Sequence, residues 1–106
     1  MFFNSIPSVS VTDASQKITG ENVAFIDVRS RGEYASGHAK GTVCMPPDSF
    51  NENEVTKLKQ FKEVYVICQS GGRSALATKS LKGSGVNAIN VSGGTSAWRS
   101  SGFPME

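Results

Sequence analysis

Two short runs, VAFIDV (Val23 to Val28) and VYVIC (Val64 to Cys68), constrain the fold more than any other feature of the chain. Each is rich in β-branched residues and almost wholly apolar, without the alternation of a strand that shows one face to water. Such a strand is stable only when both faces are covered, as in a parallel sheet flanked by helices. TVCM (Thr42 to Met45) and NAINV (Asn87 to Val91) are weaker runs of the same kind, and a first strand is expected near Val9 and Val11.

Helix signals lie between these runs. Asn51, with Glu54 three residues on, reads as a capping box opening a helix that buries Val55 and Leu58 and ends near Phe61. Thr12 or Asp13 can cap a short helix through Ile18, stopped at Gly20. Ser74 to Lys82 forms another, stopped by Gly83 and Gly85, and a last helix runs from about Thr95 to Ser100. Strands and helices in alternation predict an α/β layer structure with a parallel sheet between helices. With 106 residues, 38% of them hydrophobic, the chain can fill one core but not two, so a single domain is expected over residues 1–106.

Lysine and arginine number 11 against 9 acidic residues, and they are scattered rather than gathered in a basic stripe, which argues against a nucleic-acid partner. No run approaches the roughly 20 apolar residues that span a bilayer, and MFFNSIPSVS lacks the basic start and apolar centre of a secretory signal. A soluble, cytoplasmic protein without a membrane partner is expected. Cys44 and Cys68 are far apart and outside any CxxC pair, so neither a disulfide framework nor a metal site is expected, and reduced thiols are the default.

In sheets of this kind ligands bind at the carboxyl ends of strands, which is where Cys68 stands. The segment CQSGGRS (Cys68 to Ser74) then supplies what a nucleophilic thiolate needs. A free thiol has a pKa of roughly 8.5, so the anion must be favoured by its surroundings. Gly71 and Gly72 permit backbone angles that turn successive amide hydrogens towards one point, the helix after them presents its positive end, and Arg73 adds a full charge. The alternative is a plain turn with a buried, inert cysteine. The coincidence of strand end, cysteine, glycine pair, arginine and helix start favours the reactive reading.

Three segments carry a resemblance to a known family. DVRSRGEYASGHAKGTVCMP (Asp27 to Pro46), CQSGGRSALATKSL from Cys68, and VSGGTSAWRSSGFP (Val91 to Pro104) resemble, in order, the signatures of a single-domain rhodanese. The resemblance implies a three-layer α/β fold, with a central, mostly parallel sheet of about five strands and a core over about residues 8–104. It also implies a sulfurtransferase cycle. Cys68 would take a sulfane sulfur from thiosulfate or a persulfide, hold it as a persulfide, and pass it to cyanide, a thiol, or a thioredoxin-like or sulfur-relay protein. The loop residues Gln69, Ser70, Gly71, Gly72, Arg73 and Ser74 would bind the sulfur, and no cofactor is required.

Two other functions fit parts of this pattern. Cysteine phosphatases use a similar cradle, but their signature places five residues between Cys and Arg, whereas here Gln69, Ser70, Gly71 and Gly72 make four, a ring better sized for one sulfur atom. Ile67 also stands where a phosphatase carries histidine. A persulfide carrier with little free turnover is the second alternative. Many rhodaneses carry a basic residue directly after the cysteine; here Gln69 and Ser70 are neutral and Arg73 is the only cation in the loop, which leaves the donor open.

Outside the loop, Asp27, Arg29 and Glu33 are expected to form ion pairs and caps that hold it rather than an acid/base set. His38, the single histidine, is expected to shape a turn. Cys44 reads as core, with a resolving thiol as the alternative. Trp98 is expected to anchor the last helix, and Gly93 and Gly94 lack the pattern of a phosphate loop. Ser70 either donates to a bound sulfur or faces solvent.

Overall fold

The apolar runs do become strands. In the computed structural model, which describes residues 6–106, β1 (Ser8–Val9), β2 (Val23–Asp27), β3 (Val43–Cys44), β4 (Glu63–Ile67) and β5 (Ala88–Val91) form one five-stranded sheet. Its order is β1-β5-β4-β2-β3 and every pairing is parallel. The expected domain runs from residue 1, and residues 1–5 lie outside the described residues. The most apolar strand, β4, lies in the middle, where Val64, Tyr65, Val66 and Ile67 are fully buried.

Helices α1 (Val11–Lys17), α2 (Arg31–Ala35), α3 (Glu52–Lys59), α4 (Gly72–Gly83) and α5 (Gly94–Ser100) fill the connections, with a 3-10 turn at Pro47–Ser49. Alternation along the strands divides the core in two. On one face Ile26, Val28, Val64, Val66, Cys68 and Ala88 meet Leu58 of α3 and Ala77 and Leu81 of α4. On the other, Phe25, Tyr65, Ile67 and Val91 meet Val11 and Ala14 of α1 and Trp98 of α5. The result is the three-layer arrangement. Each fully buried side chain of this size contributes roughly 1.5–3 kcal/mol over exposure, so the two clusters fix which face each helix covers.

Local details depart from expectation in four places. Val11 opens α1 rather than extending the first strand, because Ser10, not Thr12 or Asp13, is the cap: its hydroxyl accepts the Asp13 N–H at 3.1 Å. Only half of the Asn51 capping box forms. Asn51 accepts the Glu54 N–H at 2.9 Å, but the Glu54 carboxylate accepts from Lys57 Nζ instead. A complete capping box occurs at Ser30 and Glu33, opening α2. Finally, α4 begins at Gly72, two residues before the expected start, because Gly71 makes the turn alone with φ +113°. Among the described residues, no helix is long and apolar enough to cross a membrane.

Candidate active site

Cys68 follows directly on β4, with only Gln69, Ser70 and Gly71 between it and α4. The early helix start places Gly72, Arg73 and Ser74 in the first turn, where amide hydrogens have no partner within the helix. The Gly71 N–H donates to Cys68 Sγ at 3.1 Å. Burial of the thiol raises its pKa, but hydrogen bonds from the Ser74 hydroxyl and the amides of Ser74, Gly71 and Ser70 outweigh it, and the net direction is down. The thiolate is thus favoured mainly by neutral donors.

What aims those donors comes from the other end of the chain. The Thr95 N–H donates to the Cys68 carbonyl at 2.8 Å, the Thr95 hydroxyl to the same oxygen at 3.0 Å, and the Ser96 N–H to the Gln69 carbonyl at 3.0 Å. In a planar trans peptide the C=O and the next N–H point in opposite directions. Holding the Cys68 and Gln69 carbonyls against α5 therefore turns the Gln69 and Ser70 amides the other way. Close approach is possible because Gly94, at φ +60°, has no side chain: a Cβ there would lie 2.5 Å from the Cys68 oxygen. The glycine pair at residues 93 and 94 thus braces the cysteine loop, a role invisible in its own sequence context.

The paired glycines of the loop are unequal. Gly71 requires its freedom, whereas Gly72 lies in the helix and a Cβ on it would meet nothing within 4 Å. Arg73 also departs from expectation. Its guanidinium grips Glu33 with Nη1 and Nη2 each 2.8 Å from a carboxylate oxygen, so its charge is neutralised rather than offered to the sulfur. Hydrogen bonds from Arg73, then from the Ser30 amide, pull the Glu33 pKa from 4.5 down to about 2. Glu33 therefore ties the cysteine loop to α2 while capping α2 itself.

Asp27 and Arg29 form a buried pair at the end of β2, with Arg29 Nη2 2.8 Å and Nε 3.0 Å from Asp27 Oδ2. Arg29 also donates to the Gly37 carbonyl at 2.8 Å and to Gln69 Oε1 at 3.3 Å. Gln69 Nε2 in turn donates to Ser96 Oγ at 2.8 Å, so the neutral residue after the cysteine is held by both neighbouring segments. Ser70 is exposed and its side chain makes no hydrogen bond among the described residues, leaving its amide as its contribution.

His38 is not brought to the cysteine. Its ring stacks on Tyr34 with centroids 3.6 Å apart, Nδ1–H donates to the Tyr34 carbonyl at 2.8 Å, and its backbone pairs with Glu106. Trp98 anchors α5, with Nε1–H donating to the Pro104 carbonyl at 2.8 Å and its ring between Phe25 and Phe103. Cys44 is paired in register with Asp27, which is paired with Ile67, the neighbour of Cys68. Two strand spacings, roughly 9.6 Å, separate the cysteines. Strand alternation also turns them to opposite faces, so the geometry excludes a direct disulfide, which needs Cα atoms within ~7 Å. Burial, then the nearby Asp27 carboxylate, raises the Cys44 pKa.

Sequence reasoning missed Asn90. It lies on β5 in register with Val66, on the Cys68 face of the sheet, and its Oδ1 accepts from the buried Ser74 hydroxyl at 2.5 Å. Its signal was a polar residue at an inward position of the otherwise apolar run AINV.

The matching family model is that of the rhodanese-like domain, over residues 10–101. The chain belongs to the rhodanese-like family. It is 36% identical to thiosulfate sulfurtransferase 16, chloroplastic, of Arabidopsis thaliana, over 93% of this chain and 92% of that one. It is 35% identical to a putative sulfur carrier protein of Bacillus subtilis over 90% of its length, and spans about half of that protein, 52%. A rhodanese-related protein of Thermoplasma volcanium shares the fold with a TM-score of 0.82 at 29% identity, over 94% of this chain and 97% of that one. The rhodanese-like segment thus includes the cysteine loop, the Glu33 tether and the α5 brace together.

Proposed function

We propose that this rhodanese-like chain transfers sulfane sulfur through a persulfide on Cys68. The observation that carries this reading is a nearly buried thiol, its anion favoured by hydrogen bonds from its own loop, in a segment with four residues between Cys68 and Arg73. The names of the relatives, a thiosulfate sulfurtransferase and a putative sulfur carrier, support the same class.

With thiosulfate as donor, the Cys68 thiolate attacks the outer sulfur. The new S–S bond to Cys68 forms as the S–S bond of thiosulfate breaks, and the electron pair leaves with sulfite. The terminal sulfur of the persulfide then carries the negative charge, which the same amides can stabilise. A thiolate or cyanide acceptor attacks that sulfur and returns Cys68 as thiolate. With a persulfide donor the leaving group is a thiolate, and the balance is otherwise the same. Asp27, Arg29, Glu33, Arg73 and Gln69 act here as positioning residues for the loop.

The neutral pairing of Arg73 with Glu33 makes a persulfide the easier donor and removes the guanidinium a phosphatase would need for its phosphate. The test is intact mass after incubation with thiosulfate or a small persulfide: a gain of one sulfur, absent in Cys68→Ser. No gain with any sulfane donor would refute the persulfide reading. Turnover of the loaded protein with cyanide separates an enzyme from a carrier module, and phosphate release from an aryl phosphate as the main activity would replace both.

A further inference from the structure

We infer that the groove between α4 and the 3-10 turn holds the uncharged, apolar body of a small persulfide donor, R–S–SH, while Cys68 takes its outer sulfur. The groove thus narrows the donor class of the persulfide reading, on which this assignment rests. Leu76, one turn beyond Arg73, is 71% exposed, and with Val43 it is one of two large hydrophobic side chains so exposed among the described residues. A single exposed leucine needs no explanation. Leu76, however, borders a cavity of about 470 Å³ walled by Arg73, Leu76, Ala77 and Ser80 of α4 and by Pro47 and Phe50 of the turn. The four helix positions follow i, i+3, i+4, i+7 and so share one face. The volume falls within the roughly 300–1,000 Å³ of small-ligand sites.

Two observations tie this groove to the thiol. Arg73 lines it and also belongs to the cysteine loop, so the groove begins where the loop ends, and Leu76 lies about 4.5 Å further along the helix axis. Phe50 and Ala77, in its walls, pack in the core cluster that contains Cys68. The cavity beside Val43, by contrast, is lined by no residue of the loop.

Charge and access decide the ligand. Arg73 is the one charged residue of the wall, and Glu33 holds it at 2.8 Å. A charged body would lose water there without gaining a partner, whereas an alkyl or aryl body gains by covering Leu76 and Phe50. With Cys68 only 1% exposed, the reacting sulfur must arrive on a narrow stem, which a small persulfide has and the rigid face of a folded protein lacks. The Cys68 thiolate attacks the outer sulfur, the donor S–S bond breaks, and R–S⁻ leaves with the electron pair.

Alkylation of Cys68 tests the groove without a sulfur donor, so its failure is distinct from a failure of sulfur transfer. Iodoacetamide and its N-butyl and N-hexyl derivatives are compared, mapped to Cys68 by peptide mass, with each rate divided by that of free cysteine. The N-hexyl reagent should react roughly tenfold faster than iodoacetamide, and Leu76→Ser should remove most of that gain. Leu76 is too exposed for the change to threaten folding, and Val43→Ser, at the other exposed site, should keep the wild-type ratio. An N-carboxypentyl reagent of similar reach should fall back towards iodoacetamide. Sulfur uptake from butyl and hexyl persulfides, read by intact mass, should follow the same order as alkylation. Rates that do not rise with chain length, or a gain that survives Leu76→Ser, would overturn the inference. Selective alkylation without sulfur uptake from any persulfide would instead refute the persulfide reading, and the donor assignment with it, while keeping the groove as a ligand site.

Discussion

Replacing Gly94 with alanine asks whether α5 sets the geometry of the cysteine loop. The added Cβ would fall 2.5 Å from the Cys68 carbonyl oxygen and 2.6 Å from the Gln69 carbonyl carbon. Both are backbone atoms, so no rotamer change relieves the clash, and the segments must part by roughly 1 Å to regain contact distance. That separation breaks the two backbone bonds, from the Thr95 and Ser96 N–H groups to the Cys68 and Gln69 carbonyls, at about 1 kcal/mol each. Holding alanine at φ +60° costs roughly 1–2 kcal/mol more. The sum, about 3–4 kcal/mol, should lower Tm by more than about 10 °C in a domain of this size. Alkylation of Cys68 should lose its low-pH reactivity as well, since the freed carbonyls no longer hold the Gln69 and Ser70 amides inward. Thermal unfolding followed by circular dichroism measures the first effect and the alkylation profile the second. Gly72→Ala is the internal control: its Cβ meets nothing, and a helical alanine should match or exceed the wild-type Tm. If Gly94→Ala melts within a degree or two of the wild type and keeps its profile, α5 does not brace the loop.

Three further outcomes are expected. The folded-state pKa of Glu33, about 2, lies below its ordinary 4.5, so the stability it contributes is complete above pH 4.5 and is lost as pH falls towards 2. The Tm difference between the wild type and Glu33→Gln should shrink across that window, and a constant difference would contradict the pairing. Because Glu33 occupies Arg73, Glu33→Gln should raise thiosulfate use relative to a persulfide donor, measured as a ratio of kcat/KM values, while Arg73→Ala leaves the ratio near that of the wild type. A selective loss of thiosulfate use in Arg73→Ala would instead make Arg73 the cation that holds the donor. Mild oxidation should yield no Cys44–Cys68 disulfide within one chain, and Cys44→Ser should take up sulfur as the wild type does; a linked species by mass analysis would show that the strands separate.

Much of this architecture is written locally. VAFID and EVYVI have no polar face, so they must lie between layers, and that alone puts Cys68 at the carboxyl end of a buried strand. Gly71 turns the chain within one residue, and the unpaired amides after it follow from helix geometry. The errors were local too. Ser10 outcompeted Thr12 and Asp13 as a cap, and the Glu54 side chain reached Lys57 rather than closing its box, because near-equal partners within one turn differ by only fractions of a kcal/mol.

The sequence by itself determined a parallel α/β sheet with a thiol at the carboxyl end of a buried strand, because strand burial and helix starts depend on neighbours a few residues apart. Only the tertiary structure decided how that thiol is tuned. Glu33 takes the charge of Arg73 across 40 positions, Thr95 and Ser96 hold carbonyls 27 positions away, and Asn90 meets Ser74 across 16. None of these partners is specified by spacing, since each bond forms only after the sheet has brought separate segments to one end. The same packing sets Cys44 two strands away from Cys68 and on the opposite face.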